Sequence, residues 1–167
     1  MTILSMEVSL YCPRFVVLKL EEGKARVVFT SLNDRHREAL RHERNRTPAG
    51  QILSEIEGKL QFLLNAYPID EAVWVLRGHG VANRDASRLA LGVILLTLHK
   101  ARVTPPSEMT HSRIRLNLTG CSTATAADTN KAAQAMLAEW PPDFNDYRIA
   151  ITAGAAWNKG HIVGDGA

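Results

Sequence analysis

Apolar side chains crowd the start of the chain, where Ile3, Leu4, Met6, Val8 and Leu10 surround Glu7. Such a run predicts a first strand over Thr2–Leu10. A turn at Tyr11-Cys12-Pro13-Arg14 leads into a second strand over Phe15–Leu20. Glu21-Glu22-Gly23-Lys24 then forms a hairpin turn into a third over Ala25–Thr30. The three make an antiparallel meander. Glu7 is out of character in it, because a carboxylate at a strand's centre is either turned outward into water or placed for use.

The apolar period then changes from two to three and four. Thr47-Pro48 supplies an N-cap and first helical residue, after which Ile52, Leu53, Ile56, Leu60, Leu63 and Leu64 recur at helical spacing up to Tyr67-Pro68. Glu71–Leu76 is a short β-rich run ending in Arg77-Gly78-His79-Gly80. Strand, helix, strand implies a parallel crossover, so the sheet is mixed. From Asp85 to Lys100 the chain is apolar nearly all round, which predicts a helix buried between layers, with Gly92 permitting close approach. Val103–Ser112 carries two prolines and reads as loop, and Arg113–Leu118 alternates as a fifth strand should. A polar loop over Thr119–Thr125 precedes a helix over Ala126–Trp140, and a last helix runs to near Trp157. Residues 161–167 are Gly-rich and read as a flexible tail. The order βββαβαβαα is that of the ribonuclease H-like architecture, a five-stranded mixed sheet flanked by helices. Pattern alone offers it as one of several α/β possibilities.

Composition narrows the class without naming a function. The 167 residues, 46% hydrophobic and 22% charged, suit one globular domain over 1–160. The longest apolar run, Leu89 to Leu98, is too short to span a bilayer, and the first residues lack a signal peptide's basic region. Cytoplasmic or nucleoid residence, away from membranes, is the expectation. Cys12 and Cys121 lie far apart and form no CxxC spacing, and the six histidines show no HExxH.

Charge placement says more than the total. Arg35, Arg37, Arg41, Arg44 and Arg46 stand against Glu38 and Glu43, an excess equal to the whole chain's formal net charge of +3. Arginine forks, with His36 and His42 adding donors, suit phosphate recognition, although a charge run is also an ordinary solvated surface. Towards the other end, Trp140-Pro141-Pro142-Asp143-Phe144-Asn145-Asp146 places two carboxylates three residues apart where a Pro-Pro stop meets the last helix. Carboxylates at that spacing on a helix share a face and can converge on a cation. Asp143 can equally be an N-cap, since first helical turns favour acidic residues.

Two stretches resemble the RuvC-type Holliday junction resolvases, particularly their short phage and bacterial relatives. Ile3-Leu4-Ser5-Met6-Glu7-Val8-Ser9-Leu10 is similar to that family's opening strand, with Glu7 at its Asp position. Ala126 to Trp140, followed by Asp143-Phe144-Asn145-Asp146, resembles its penultimate helix and acidic motif. The resemblance implies a catalytic and metal-binding set of Glu7, Asp143 and Asp146, with Mg2+ or Mn2+ as cofactor if the protein is active. It also implies branched DNA as partner and a homodimer. Arg35, Arg37, Arg41, Arg44, Arg46 and Arg84 are then DNA-contact candidates, with Lys131 standing near the family's basic residue, whose place Thr129 takes. A divergent member, phage or mobile-element derived, is the expectation.

The departures bear on activity. The family's second acidic ligand, a Glu before Gly at the end of the fourth strand, is Arg77 here. Two-metal phosphodiester cleavage needs carboxylates holding ions about 3.5–4 Å apart. A guanidinium repels Mg2+ and pairs with Glu7, Asp143 or Asp146 instead. In the other reading Arg77 points outward and His79 or Asp85 supplies the missing ligand. Three functions follow: a RuvC-like binder of branched DNA with nuclease activity impaired or lost and no cofactor, an active metal-dependent crossover junction endodeoxyribonuclease, or a pseudo-enzyme adaptor for an acidic protein.

Overall fold

The computed structural model describes residues 1–8, 13–21, 24–31, 48–76, 84–139 and 147–164, with the side chains of 76, 84–87, 138–139, 147–149 and 159–164 left aside. Strands β1 (Thr2–Glu7), β2 (Arg14–Glu21) and β3 (Lys24–Thr30) form the expected antiparallel meander. Helix α1 (Ala49–Ala66) returns the chain to β4 (Glu71–Leu76), which lies parallel to β1. Helix α2 (Arg84–Lys100) leads to β5 (Ser107–Thr110), parallel to β4. Then come α3 (His111–Thr119), α4 (Ala126–Met136), β6 (Leu137–Glu139) and α5 (Tyr147–Gly164). The sheet order is β5-β4-β1-β2-β3-β6. Its first five strands are the ribonuclease H-like mixed sheet, and β6 adds three residues to the β3 edge.

Strand β1 sits at the centre and is buried on both faces, which explains why its sequence reads as a near-continuous apolar run. On one face Ile3, Val16, Leu18, Val73, Val75 and Met109 pack against Ile114 and Leu118 of α3, Ala133 of α4, and Ala150 and Ile151 of α5. On the other, Leu4, Met6, Phe15, Val17 and Ala72 meet Ile52, Ile56, Leu60 and Leu63 of α1 and Ala90, Ile94 and Leu98 of α2. The molecule is a helix–sheet–helix sandwich. No described helix is long and apolar enough to cross a membrane.

Several expectations need correcting. Arg113–Leu118 is helical, because Ile114 and Leu118 lie four apart and both are buried, whereas Leu116 between them is exposed. The Thr110 hydroxyl accepts from Arg113 N at the start of that helix, and Gly120 closes it with a left-handed φ of 75°. The fifth strand comes earlier, in the segment whose prolines suggested loop, since Pro105 and Pro106 precede β5 without costing it a ladder donor. The helix expected over Ala126–Trp140 stops at Met136, where the chain extends into β6. Pro48 is the N-cap of α1 and its first helical residue is Ala49. Helix α2 is not buried all round. Leu89 and Leu96 are each 53% exposed, and Gly92, with nothing within 4 Å of a built Cβ, makes no close approach. The last helix passes Trp157 and continues to Gly164, through positions expected to be loose tail, because no proline interrupts it.

Candidate functional site

The carboxyl ends of β1, β4 and β5 lie side by side: Glu7 pairs with Val75, and Val75 with Met109. Parallel strands aligned in this way form the edge where open α/β sheets place their ligands. Glu7 closes β1 at that edge and is fully buried, so the outward, solvated alternative does not apply. Its direct cross-strand partner is Arg14, the first residue of β2. Arg14 Nη1 donates to Glu7 Oε2 at 3.0 Å, with the two side chains 2% and 0% exposed. On the other carboxylate oxygen, His111 Nε2 lies 3.9 Å from Oε1, and this side chain is 21% exposed. His111 reaches this point because β5 ends at Thr110 and the capped turn into α3 follows at once. Three elements, β1, β2 and α3, thus meet at one carboxylate.

A buried charge is tolerable only where an opposite charge and hydrogen bonds replace water. Arg14 supplies both to Glu7, and His111, when protonated, adds a second positive charge. The arrangement holds an anion in place and offers no free carboxylate oxygen on the Arg14 side. Divalent ions of the Mg2+ or Mn2+ type need several oxygen donors converging from different elements. Among the described residues no three His, Cys, Asp or Glu side chains converge in this way. The described part of the site, one carboxylate facing a guanidinium and an imidazole, does not by itself make up a divalent cation's ligand set.

The other predicted residues are placed unevenly. Asp143, Asp146, Arg77, His79 and the stretch Arg35, Arg37, Arg41, Arg44 and Arg46 lie outside the described residues. Arg84 begins α2 and Asp85 follows it, with their side chains left aside. Lys131 is exposed on α4, a helix that packs on α3, α5 and β6. Thr129 is buried, and its hydroxyl donates to Thr125 O at 2.8 Å. Phe15, beside the Glu7 strand, is 2% exposed and belongs to the core. Trp74 is buried, and Trp157, partly buried, packs against the core.

Arg14 and His111 were not legible as site residues. A turn over 11–14 pairs Leu10 with Phe15, whereas the observed register is centred between positions 10 and 11 and brings Arg14 opposite Glu7. The signal was present in the opposite charges flanking the turn, since oppositely charged cross-strand neighbours attract. His111 was hidden by reading β5 as loop.

No known family profile matches the chain, and no curated protein sequence does. Solved structures do. The Thermus thermophilus RuvC in complex with a Holliday junction substrate aligns with a TM-score of 0.80 over 98% of this chain and 94% of its own, at 13% identity. The structure of Thermus thermophilus RuvC alone aligns with a TM-score of 0.77 over 98% and 97%, at 14% identity. At such identities the likeness is one of fold, and it spans both chains nearly end to end.

Proposed function

We propose that this protein is a RuvC-like DNA-binding protein that recognises branched or structured DNA, with its nuclease activity impaired or lost. The observation that carries the reading is the near end-to-end likeness to a RuvC solved on a Holliday junction. Fold alone does not fix function. The extra weight comes from position, because Glu7 stands at the end of the central strand, where the sequence resemblance puts the first catalytic carboxylate. That carboxylate is held by Arg14 at 3.0 Å. The sequence resemblance also puts a cation, Arg77, at the second acidic position, where a metal-dependent enzyme needs an anion.

DNA engagement does not need the metal. Phosphate contacts position a protein on DNA through arginine forks and lysines, and they can persist where hydrolysis has been lost. Arg35, Arg37, Arg41, Arg44, Arg46, Arg84 and Lys131 are the contacts proposed, in a homodimer that holds two arms of the branch. Glu7, Asp143 and Asp146 are the remnant of the metal site. The test is competition: a labelled four-way junction is bound in EDTA and challenged with excess unlabelled duplex, single-stranded DNA or junction. The account expects only junction to displace the complex efficiently. Equal displacement by duplex removes branch recognition, and failure to bind any DNA favours a protein-binding adaptor.

A further inference from the structure

We infer that the Arg14 guanidinium takes the place of a divalent cation at Glu7, making Arg14 the residue that closes this position to metal. The inference rests on the RuvC-like reading, which makes Glu7 a former metal ligand. It also goes beyond that reading, because Arg14 belongs to neither the acidic set nor the proposed DNA surface.

The sheet face that carries Glu7 and Arg14 is mostly apolar, with Ile3, Val16, Leu18, Val73, Val75 and Met109, and holds the buried hydroxyl side chain of Ser5 two residues from Glu7. Taking an ion pair out of water costs about as much as its attraction returns, so a well-packed apolar pair serves stability as well or better. Stability alone therefore gives no reason for a carboxylate and a guanidinium here. A carboxylate already fixed at the end of β1, which must acquire a countercharge, does give one. Arg14 is the direct cross-strand neighbour, so its side chain meets Glu7 without any bend in the chain.

The geometry closes one oxygen more firmly than the other. Arg14 donates to Oε2 at 3.0 Å, while His111 Nε2 stands 3.9 Å from Oε1, beyond hydrogen-bond distance. A divalent ion at Oε2 must displace a permanent cation, and one at Oε1 must share a buried pocket with it. The guanidinium cannot shed its charge to make room. His111, one-fifth exposed, leaves Oε1 the more approachable oxygen. Arg14 is the block.

The experiment uses the full chain and Mn2+ as probe. Binding is followed by the loss of the free Mn2+ paramagnetic resonance signal, and thermal unfolding is recorded in EDTA and in Mn2+. The wild type and Glu7→Gln are expected to take up Mn2+ identically, showing no site that depends on Glu7. Arg14→Met should lower the Tm in EDTA by about 6–20 °C, as expected for a buried carboxylate that loses its hydrogen-bonded countercharge. It should also gain Glu7-dependent Mn2+ binding that raises the Tm, and the double variant E7Q/R14M should lose that binding while regaining stability. A Glu7-dependent Mn2+ site in the wild type overturns the inference, as does a folded Arg14→Met with no gain of Mn2+ binding. Should Arg14→Met not fold, the wild type against Glu7→Gln still decides. Junction binding in EDTA needs no cation, so its loss would count against the RuvC-like reading and leave the role of Arg14 to these titrations.

Discussion

At Glu7 a single buried carboxylate is shared by three elements, and the energetics of that arrangement can be measured residue by residue. Removing only Arg14 takes away the hydrogen-bonded countercharge of a buried carboxylate, at a cost of about 3–5 kcal/mol, whereas replacing both partners by neutral side chains is expected to cost far less. In urea unfolding, a cycle of Arg14→Met, Glu7→Gln and the double variant should therefore show strong coupling. Additive effects would mean that the 3.0 Å contact contributes nothing specific. A second residue-scale prediction concerns Cys121, which is exposed. Its thiol is held below the ordinary thiol range, first by the hydroxyl of Thr123 and then by hydrogen bonds to the backbone of Thr123 and Ala124. A lower value means more thiolate near neutral pH. Thr123→Val should raise the value and slow alkylation of Cys121 at pH 7, and an unchanged rate would remove that role for Thr123. Glu7 could be singled out from sequence because one charge in an apolar run is conspicuous. Arg14 could not, because its meaning depends on a register that the sequence leaves open by several residues.

At the scale of elements, α3 is where the pattern and the fold part company. Arg113-Ile114-Arg115-Leu116-Asn117-Leu118 alternates as a strand does, yet caps at both ends and burial of only Ile114 and Leu118 make it a helix. The cap residues Thr110 and Gly120 were visible in the sequence and mark the helix more reliably than six alternating positions do. Because Gly120 sits at φ 75°, Gly120→Ala should destabilise the protein by about 1–2 kcal/mol, measured by thermal denaturation. Gly154 of α5 is a tighter constraint. A Cβ there would lie 2.6 Å from Leu118 Cδ1 and 3.2 Å from Ile114 Cγ2, so the glycine is what lets α5 approach α3. Gly154→Ala should cost about 1–3 kcal/mol through overpacking, and a neutral result would mean that Leu118 moves aside freely. Helix α2 carried the opposite lesson. Its sequence is apolar all round, but burial takes only one side, Ala90, Ile94 and Leu98, and leaves Leu89 and Leu96 exposed. Hydrophobicity sets what a helix can bury, and the layers around it set what it does bury.

For the whole molecule, the meander and the parallel crossover into β4 were legible, because two-residue alternation, turn residues and helix-length apolar stretches agreed with one another. The position of β5 and the existence of β6 were not, since strands of four and three residues are too short to show a period. The candidate site was legible in one residue, Glu7, and its surroundings became visible only when β2 and α3 closed on it. The proposed DNA contacts belong to this scale as well. If about five arginines meet phosphates, log K should fall against log[salt] with a slope near −4.5, and affinity insensitive to salt would remove that surface from the account. One measurement bears most directly on the central claim, that the fold holds branched DNA while its first carboxylate is held by an arginine. A labelled four-way junction is incubated with the protein in Mn2+ and analysed in parallel on native and denaturing gels. The account predicts a shifted junction whose strands are intact, whereas symmetrically nicked strands at the branch point would contradict it.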